Sequence, residues 1–260
     1  MTTPPETIVV GRREEAEADL AREIAALVRE KPRVVLGLAT GDTTAGLYRE
    51  LARLRREEDL DFGRVVTFNL DEYLGLSPDH PGAFARWTRE RVFEPLGISE
   101  GSRHVPSWGA AADSVSWTIS ERCRAYEESL REAGGIDLQI LGIGRNGHIA
   151  FNEPPTPRES RTREVRLHAW TREDAARVFG SLGEVPTRAI TIGIGTILEA
   201  RRIRVLAFGS RKAGIVARAL EGPVGPEVPA SFLRGHPDLR IWLDREAARE
   251  LDSARPAPRS

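Results

Sequence analysis

The sequence predicts an α/β protein built on an open, mostly parallel sheet with helices on both faces. Three observations carry that expectation. Short β-rich apolar runs alternate with stretches of helical period along the whole length. Some of those runs are continuously apolar, as residues 34–38 are, the pattern of a strand buried on both sides. Glycine-bearing turns follow strands at 39–44 and again after 136–141, the place where open α/β sheets hold ligands.

The elements follow in order. Residues 7–10 form a short strand after a proline-rich start, and 14–29 place Ala18, Ala21, Ile24, Ala25 and Val28 at helical spacing. Pro32 stops that helix and 34–38 is the next strand, followed by a turn with Gly41 and a helix over about 45–57. A strand over 64–69 runs into Leu70-Asp71-Glu72-Tyr73, and a helix over about 83–93 comes next. Then come a short strand near 104–106, a helical stretch over 111–133 and the strand 136–141. Residues 160–168 read as a strand, 171–179 as a helix with Thr171 as its N-cap, 189–194 as a β-branched run and 196–200 as a short helix. A strand over 203–208 leads to Gly209-Ser210-Arg211-Lys212 and a helix to Leu220; 239–243 is the last strand. No repeat or linker divides the chain, so residues 1–244 are expected to be a single domain. Residues 245–260 read as a frayed helix and a disordered tail.

Composition narrows the function classes. The 260 residues are 40% hydrophobic and 30% charged, with a net charge of -1, ordinary values for a soluble protein and not those of a general nucleic-acid surface. The lone cysteine, Cys123, excludes an intramolecular disulfide and a thiolate metal cluster, and its helical setting reads as a buried, inert thiol. No apolar stretch reaches the roughly 20 residues that cross a bilayer, and the first residues lack a signal-peptide pattern, so the cytoplasm is expected.

Three strand ends carry polar residues in suggestive settings. Asp71 and Glu72 read either as a helix cap with a solvated neighbour or as a general base whose pKa is set by its surroundings. His148 and Glu153 lie in the glycine-rich stretch 142–154. They read either as a structural loop pair or as an imidazole oriented by a carboxylate for proton transfer near neutral pH. One histidine among scattered acids falls short of the three protein ligands usual for catalytic zinc. Lys212 and Arg177 read either as surface charge or, with the turn at 40–44, as a phosphate clamp of cations and free helix amides. His80, His104, His168 and His236 have no comparable context.

Read together, these segments resemble the glucosamine-6-phosphate deaminase (isomerase) family from about residue 8 to 243. The strongest pieces are VTFNLDEYLGL at 66–76 and GRNGHIAFNEP at 144–154; SRTR at 160–163 and TIGIGT at 191–196 follow the same pattern. The resemblance implies a Rossmann-like fold, no metal or organic cofactor, and conversion of glucosamine 6-phosphate and water to fructose 6-phosphate and ammonium. By position, Asp71 is then the base that moves the C2 proton to C1. His148, oriented by Glu153 and Asn146, opens the pyranose ring. Gly41, Asp42, Thr43, Thr44, Arg177 and Lys212 fall at the substrate-phosphate site. The implied partner is a small amino-sugar phosphate, not nucleic acid or a membrane; a homo-oligomer is compatible with the sequence, which leaves that state open.

The chain also departs from the family pattern. Asn146 stands where some members have an aspartate, and an amide can hold an imidazole without stabilising imidazolium. Asp42 replaces a residue that is small in many members, and its carboxylate would repel phosphate unless it points away. Thr44 takes the place of a common proline, and Arg234 in the 232–236 lid pattern stands where glutamine is usual. Val165 sits where allosterically activated members carry lysine, so activation by N-acetylglucosamine 6-phosphate is not expected. Three alternatives stay open. A deaminase for another amino-sugar phosphate, such as galactosamine 6-phosphate, would differ by one hydroxyl. A 6-phosphogluconolactonase would have arginine in place of Tyr73 and a different run after His148. The third is a non-catalytic sugar-phosphate sensor.

Overall fold

The computed structural model describes residues 6–106 and 117–252. In chain order the elements are β1 (Glu6–Val10), α1 (Arg13–Glu30), β2 (Val35–Leu38), α2 (Asp42–Glu57), β3 (Val66–Asn69), β4 (Asp71–Tyr73) and α3 (Phe84–Thr88). A π-helical turn at Arg89–Phe93 joins α3 to α4 (Glu94–Leu96), before β5 (Arg103–His104), α5 (Ile119–Glu132) and β6 (Leu138–Gly142). Then follow β7 (Arg163–Arg166), α6 (Ala169–Phe179), β8 (Arg188–Thr191), α7 (Ile194–Leu198), β9 (Ile203–Ala207), α8 (Ala213–Leu220), β10 (Leu239–Asp244) and α9 (Arg245–Ala248).

Seven strands form one sheet in the order β1-β10-β9-β6-β2-β3-β5, and every pairing in it is parallel. The residues of β2, β3 and β9 are buried along their whole length, as strands covered by helices on both faces must be. The order reverses between β2 and β6: β3 and β5 lie to one side of β2, and β9 and β10 to the other side of β6. Their two following loops diverge there and leave a crevice at the carboxyl ends of the strands.

A second sheet, absent from the sequence reading, is antiparallel and runs β4-β8-β7. Residues 71–73 thus do not extend β3. Leu70 divides the two sheets: its N–H donates to the Leu38 carbonyl at 3.2 Å, and its carbonyl accepts from the Ile192 N–H at 2.8 Å. Behind the small sheet, Tyr73 meets Phe84 at 4.9 Å, Phe151 at 5.4 Å and Phe179 at 5.3 Å between ring centroids. This aromatic cluster seats α6, which contributes Phe179, Ala175 and Ala176 to it.

Some boundaries differ from expectation for local reasons. α5 starts at Ile119 because Thr118 and Glu121 form a reciprocal capping box; most of the earlier stretch assigned to that helix lies outside the described residues. α6 starts two residues before Thr171, with the His168 ring accepting from the Trp170 N–H at 3.2 Å. Thr171 is therefore in the first turn and not the cap. From residue 245 the chain forms the short helix α9, which is docked where a frayed helix was expected. Asp244 Oδ1 accepts from the Ala247 N–H at 2.8 Å, and Ala247, Ala248 and Leu251 are buried. The expected tail from residue 253 onward lies outside the described residues.

Candidate active site

A cleft of about 310 Å³ opens at the reversal between β2 and β6. The turn after β2 and the start of α2 supply Thr40, Gly41, Thr43 and Thr44; β4 supplies Asp71 and Tyr73; the loop after β6 supplies Gly144, Arg145 and His148. Thr171, Asp174 and Ala175 face in from α6, and Lys212 from the turn before α8. Spacing of three and four residues puts those α6 side chains on one helix face.

Strand alternation separates the two neighbouring carboxylates. Asp71 and Tyr73 line the cleft, whereas Glu72 points the other way and accepts from the N–H groups of Tyr73 (2.8 Å), Phe84 (3.0 Å) and Ala85 (2.7 Å). Glu72 thus closes the start of α3, and the cap reading belongs to it alone. Asp71 is 6% exposed. Burial pushes its pKa well above the ordinary carboxylate value, and the charge of Glu72 adds to the effect.

His148 is held by an amide. Asn146 Nδ2 donates to Glu153 Oε2 at 3.0 Å, and Asn146 Oδ1 lies 2.7 Å from His148 Nδ1. A carboxylate only accepts, so the amide nitrogen must face Glu153 and the amide oxygen must face the ring. Nδ1 therefore carries the proton and Nε2 is the nitrogen left for a ligand. Glu153 orients the imidazole through Asn146 and makes no direct contact; its other oxygen accepts from the His168 N–H at 2.9 Å. Burial lowers the His148 pKa to about 4, with Glu153 opposing that shift and Lys212 adding to it, so the ring is neutral at pH 7. Gly144 is required beside it, because a Cβ there would lie 2.1 Å from ring atoms.

Burial keeps the ring neutral, and Asn146 holds it without adding a charge that would oppose burial. Asn146→Asp is expected to retain the bond to Nδ1 while placing a negative charge against it. The titration of the His148 ring, followed by NMR, should move from about 4 toward the ordinary histidine range. A ring that titrates where wild type does would show that the amide has no such role.

The cationic residues divide. Lys212 reaches into the cleft, its Nζ donating to the Ile143 carbonyl at 2.7 Å. Burial lowers its pKa. Gly41, at φ 106°, lets the chain turn into α2 with open space where a Cβ would stand, so the first amides of that helix remain approachable by an anion. Thr43 lines the cleft, whereas the buried Thr44 hydroxyl donates inward to the Ala39 carbonyl at 3.0 Å. Arg177 and Asp42 do not line the cleft. They pair with each other at 2.9 Å on its rim, 78% and 85% exposed.

Three lining residues escaped the sequence reading: Arg145, Asp174 and Thr171. Thr171 is 9% exposed and its hydroxyl has no hydrogen-bond partner among the described residues. The helix face that Thr171 and Asp174 share could have signalled those two, whereas Arg145, in the loop after β6, carried no such signal. The other histidines are structural: His80 accepts from the Gly82 N–H, His104 stacks on Phe68, and His168 caps α6. His236 Nδ1 accepts from the Asp238 N–H, and its Nε2 lies 2.7 Å from the Ala200 carbonyl. Among the described residues no group of three His, Cys, Asp or Glu side chains is placed to hold a metal ion.

Comparison with known proteins gives consistent results. The profile described as glucosamine-6-phosphate isomerases/6-phosphogluconolactonase matches residues 12–242. A glucosamine-6-phosphate deaminase of Thermoanaerobacter pseudethanolicus is 44% identical over 93% of both chains. Glucosamine-6-phosphate deaminase 1 of Giardia intestinalis is 46% identical over 90% of this chain and 86% of its own. Among solved structures, a monomeric glucosamine-6-phosphate deaminase superposes with a TM-score of 0.89 at 42% identity, covering 94% of this chain and 99% of that one. A 6-phosphogluconolactonase from Trypanosoma cruzi, at 21% identity and a TM-score of 0.74 over 97% and 98% of the two chains, shares the fold.

Proposed function

Because the chain belongs to the glucosamine-6-phosphate isomerase/6-phosphogluconolactonase family, we propose that it is an enzyme that converts glucosamine 6-phosphate and water to fructose 6-phosphate and ammonium. The observation that carries this reading is one cleft that holds the carboxylate of Asp71, the imidazole of His148 and the cation of Lys212. An aldose–ketose proton shift needs those groups together: a base at C2, an acid–base group at the ring oxygen and an anchor for the phosphate.

In this reading, Lys212, Thr43 and the first amides of α2 hold the phosphate, which fixes where C1 and C2 lie. His148 Nε2 takes the proton of the anomeric hydroxyl, and the resulting imidazolium returns a proton to the ring oxygen as the C1–O5 bond breaks. Asp71 then removes the C2 proton from the open-chain aldehyde and delivers it to C1, while one proton of the substrate's ammonium group passes to the aldehyde oxygen, which becomes the C1 hydroxyl. The product of that shift is a C2 iminium. Water adds at C2 and ammonium leaves, which gives the ketose phosphate. A raised pKa makes the Asp71 carboxylate, once ionised, a stronger base than a solvated one.

Tyr73 supports this reading over lactone hydrolysis. It lies buried among Phe84, Phe151 and Phe179, and the arginine expected there in a lactonase would put a charge into that cluster. The deciding experiment is ammonium release from glucosamine 6-phosphate and its galactosamine epimer, run beside acid release from 6-phosphogluconolactone. Release from neither amino sugar would overturn the proposal, and release from galactosamine 6-phosphate alone would move it to the epimer.

A further inference from the structure

In the cleft and on its rim, Arg145, Lys212 and Arg177 each have a carboxylate of the same chain nearby. Arg177 is paired with Asp42 at 2.9 Å. Arg145 pairs with Glu173 at 3.1 Å and Asp174 at 3.5 Å, and its guanidinium lies over the Trp170 ring at 5.0 Å. Lys212 shares the cleft with Asp174. Asp42 is the first residue of α2, the helix whose opening amides form the anion end of the cleft. A negative charge in that first turn acts on the same helix end as a bound phosphate would.

We propose that Asp174 in the cleft and Asp42 at its rim are internal counter-anions of the phosphate subsite, which occupy the neighbouring cations until a phosphoryl group displaces them and thereby set how weakly phosphate esters bind. The inference rests on the reading of the cleft as a sugar-phosphate site and adds two residues that determine its affinity. Both lie on elements that flank the cleft, one at the start of α2 and one on α6. Displacement costs little, because the Arg177–Asp42 pair is 78% and 85% exposed and the Arg145–Asp174 pair 42% and 57% exposed, and exposed pairs hold weakly. A dianionic phosphate offers Arg145 and Lys212, the cations that line the cleft, two charges and several acceptor oxygens in exchange for a single carboxylate, with Arg177 able to turn toward it from the rim. The electrostatics of Lys212 agree: burial lowers its pKa first, Asp174 opposes that shift, and Arg145 adds to it. Asp174 therefore already offsets a field that would otherwise be open to the ligand.

Inorganic phosphate is the probe, titrated calorimetrically into the full chain and its Asp42→Asn, Asp174→Asn and doubly substituted variants. Each single substitution is expected to lower the phosphate Kd about two- to fivefold, the range that exposed ion pairs command, and the double substitution further. The variants should also lose affinity more steeply as salt rises, because a less neutralised site is more strongly screened. Asp42→Glu, which keeps the charge, should bind phosphate as wild type does, a result that a purely structural role for the side chain would not give. An unchanged or raised phosphate Kd in the Asn variants would overturn the proposal. So would a loss confined to amino-sugar phosphates with phosphate itself unaffected, which would make Asp174 a partner of the amine. The phosphate titration decides this whether or not ammonium is released, so the deaminase reading and this one fail separately.

Discussion

Asp71→Asn is expected to reduce ammonium release by about a thousandfold, within the range that a positioned general base contributes, and at the same time to make the protein more resistant to heat. The two effects have one cause. Burial beside Glu72 raises the Asp71 pKa in the folded protein, so the folded state disfavours the ionised form that catalysis needs. The sign follows from linkage. A raised folded pKa contributes stability that is fully present below the unfolded value of 3.8 and lost as pH rises through the folded value. At neutral pH the carboxylate is ionised in the unfolded chain, and folding must either bury that charge or bind a proton, both of which cost free energy. Asparagine has nearly the same shape and no charge, so the variant should melt at a higher temperature near neutrality, and the difference should vanish in acid below 3.8. Melting curves across pH, with ammonium release and solvent exchange of the C2 proton, check both halves. Retained exchange would remove Asp71 from the role of base; an equal melting temperature at all pH values would show that its burial carries no strain. Wild-type activity should likewise fall on the acid side at a pH above the ordinary carboxylate range, because Asp71 accepts a proton only when ionised.

The second large effect concerns His148. His148→Gln should slow turnover of the cyclic substrate by about a hundredfold, the lower end of what acid–base transfer contributes. It should slow an open-chain substrate far less, because that substrate needs no ring opening. The Gln side chain can still meet Asn146 and leaves Lys212 in place, so the phosphate Kd should stay near that of wild type. Equal losses on cyclic and open-chain substrates would place His148 in the proton shift itself, in competition with Asp71. The ring is neutral at pH 7 because its pKa lies at about 4; it can therefore take the anomeric proton before it gives one back, the order that ring opening requires.

How much of this was legible beforehand differs by residue. The parallel sheet was readable because its central strands are continuously apolar, and the cleft because strand ends with glycine turns mark where the sheet opens. Asp71 and His148, 77 positions apart in the sequence, were candidates from those strand ends that only the family resemblance singled out, and they line one cleft. The small antiparallel sheet was not readable. Its strands hold three or four residues each, too few for alternation to reveal a partner or a direction. The choice between Asp71 and Glu72 was open for a related reason: which of two adjacent side chains faces the cleft depends on pairing with β8, a contact more than a hundred residues away. Arg145 and Asp174 looked like ordinary surface charge. The direction of Asp174 is set by how α6 packs into the aromatic cluster, and that of Arg145, on the loop after β6, by its contacts with Glu173, Asp174 and Trp170, which no local pattern encodes. The bond between Asn146 and His148 was anticipated as an orienting contact, but its consequence, a fixed tautomer, needed the position of Glu153.

The single residue shared by two sheets at Leu70 has a consequence for how this site could change. Asp71 is aimed by ladder register: the main sheet takes the N–H before it, the small sheet takes the carbonyl, and alternation does the rest. Adding or removing one residue at that junction would swing the carboxylate to the far side of the strand and bring Glu72 to the front. Substitutions elsewhere around the cleft leave the junction alone. With Asp71 as the proposed proton-transfer group, the walls of the cleft can thus drift toward another substrate while that carboxylate stays in place, which separates the part of the molecule that can vary from the part that cannot.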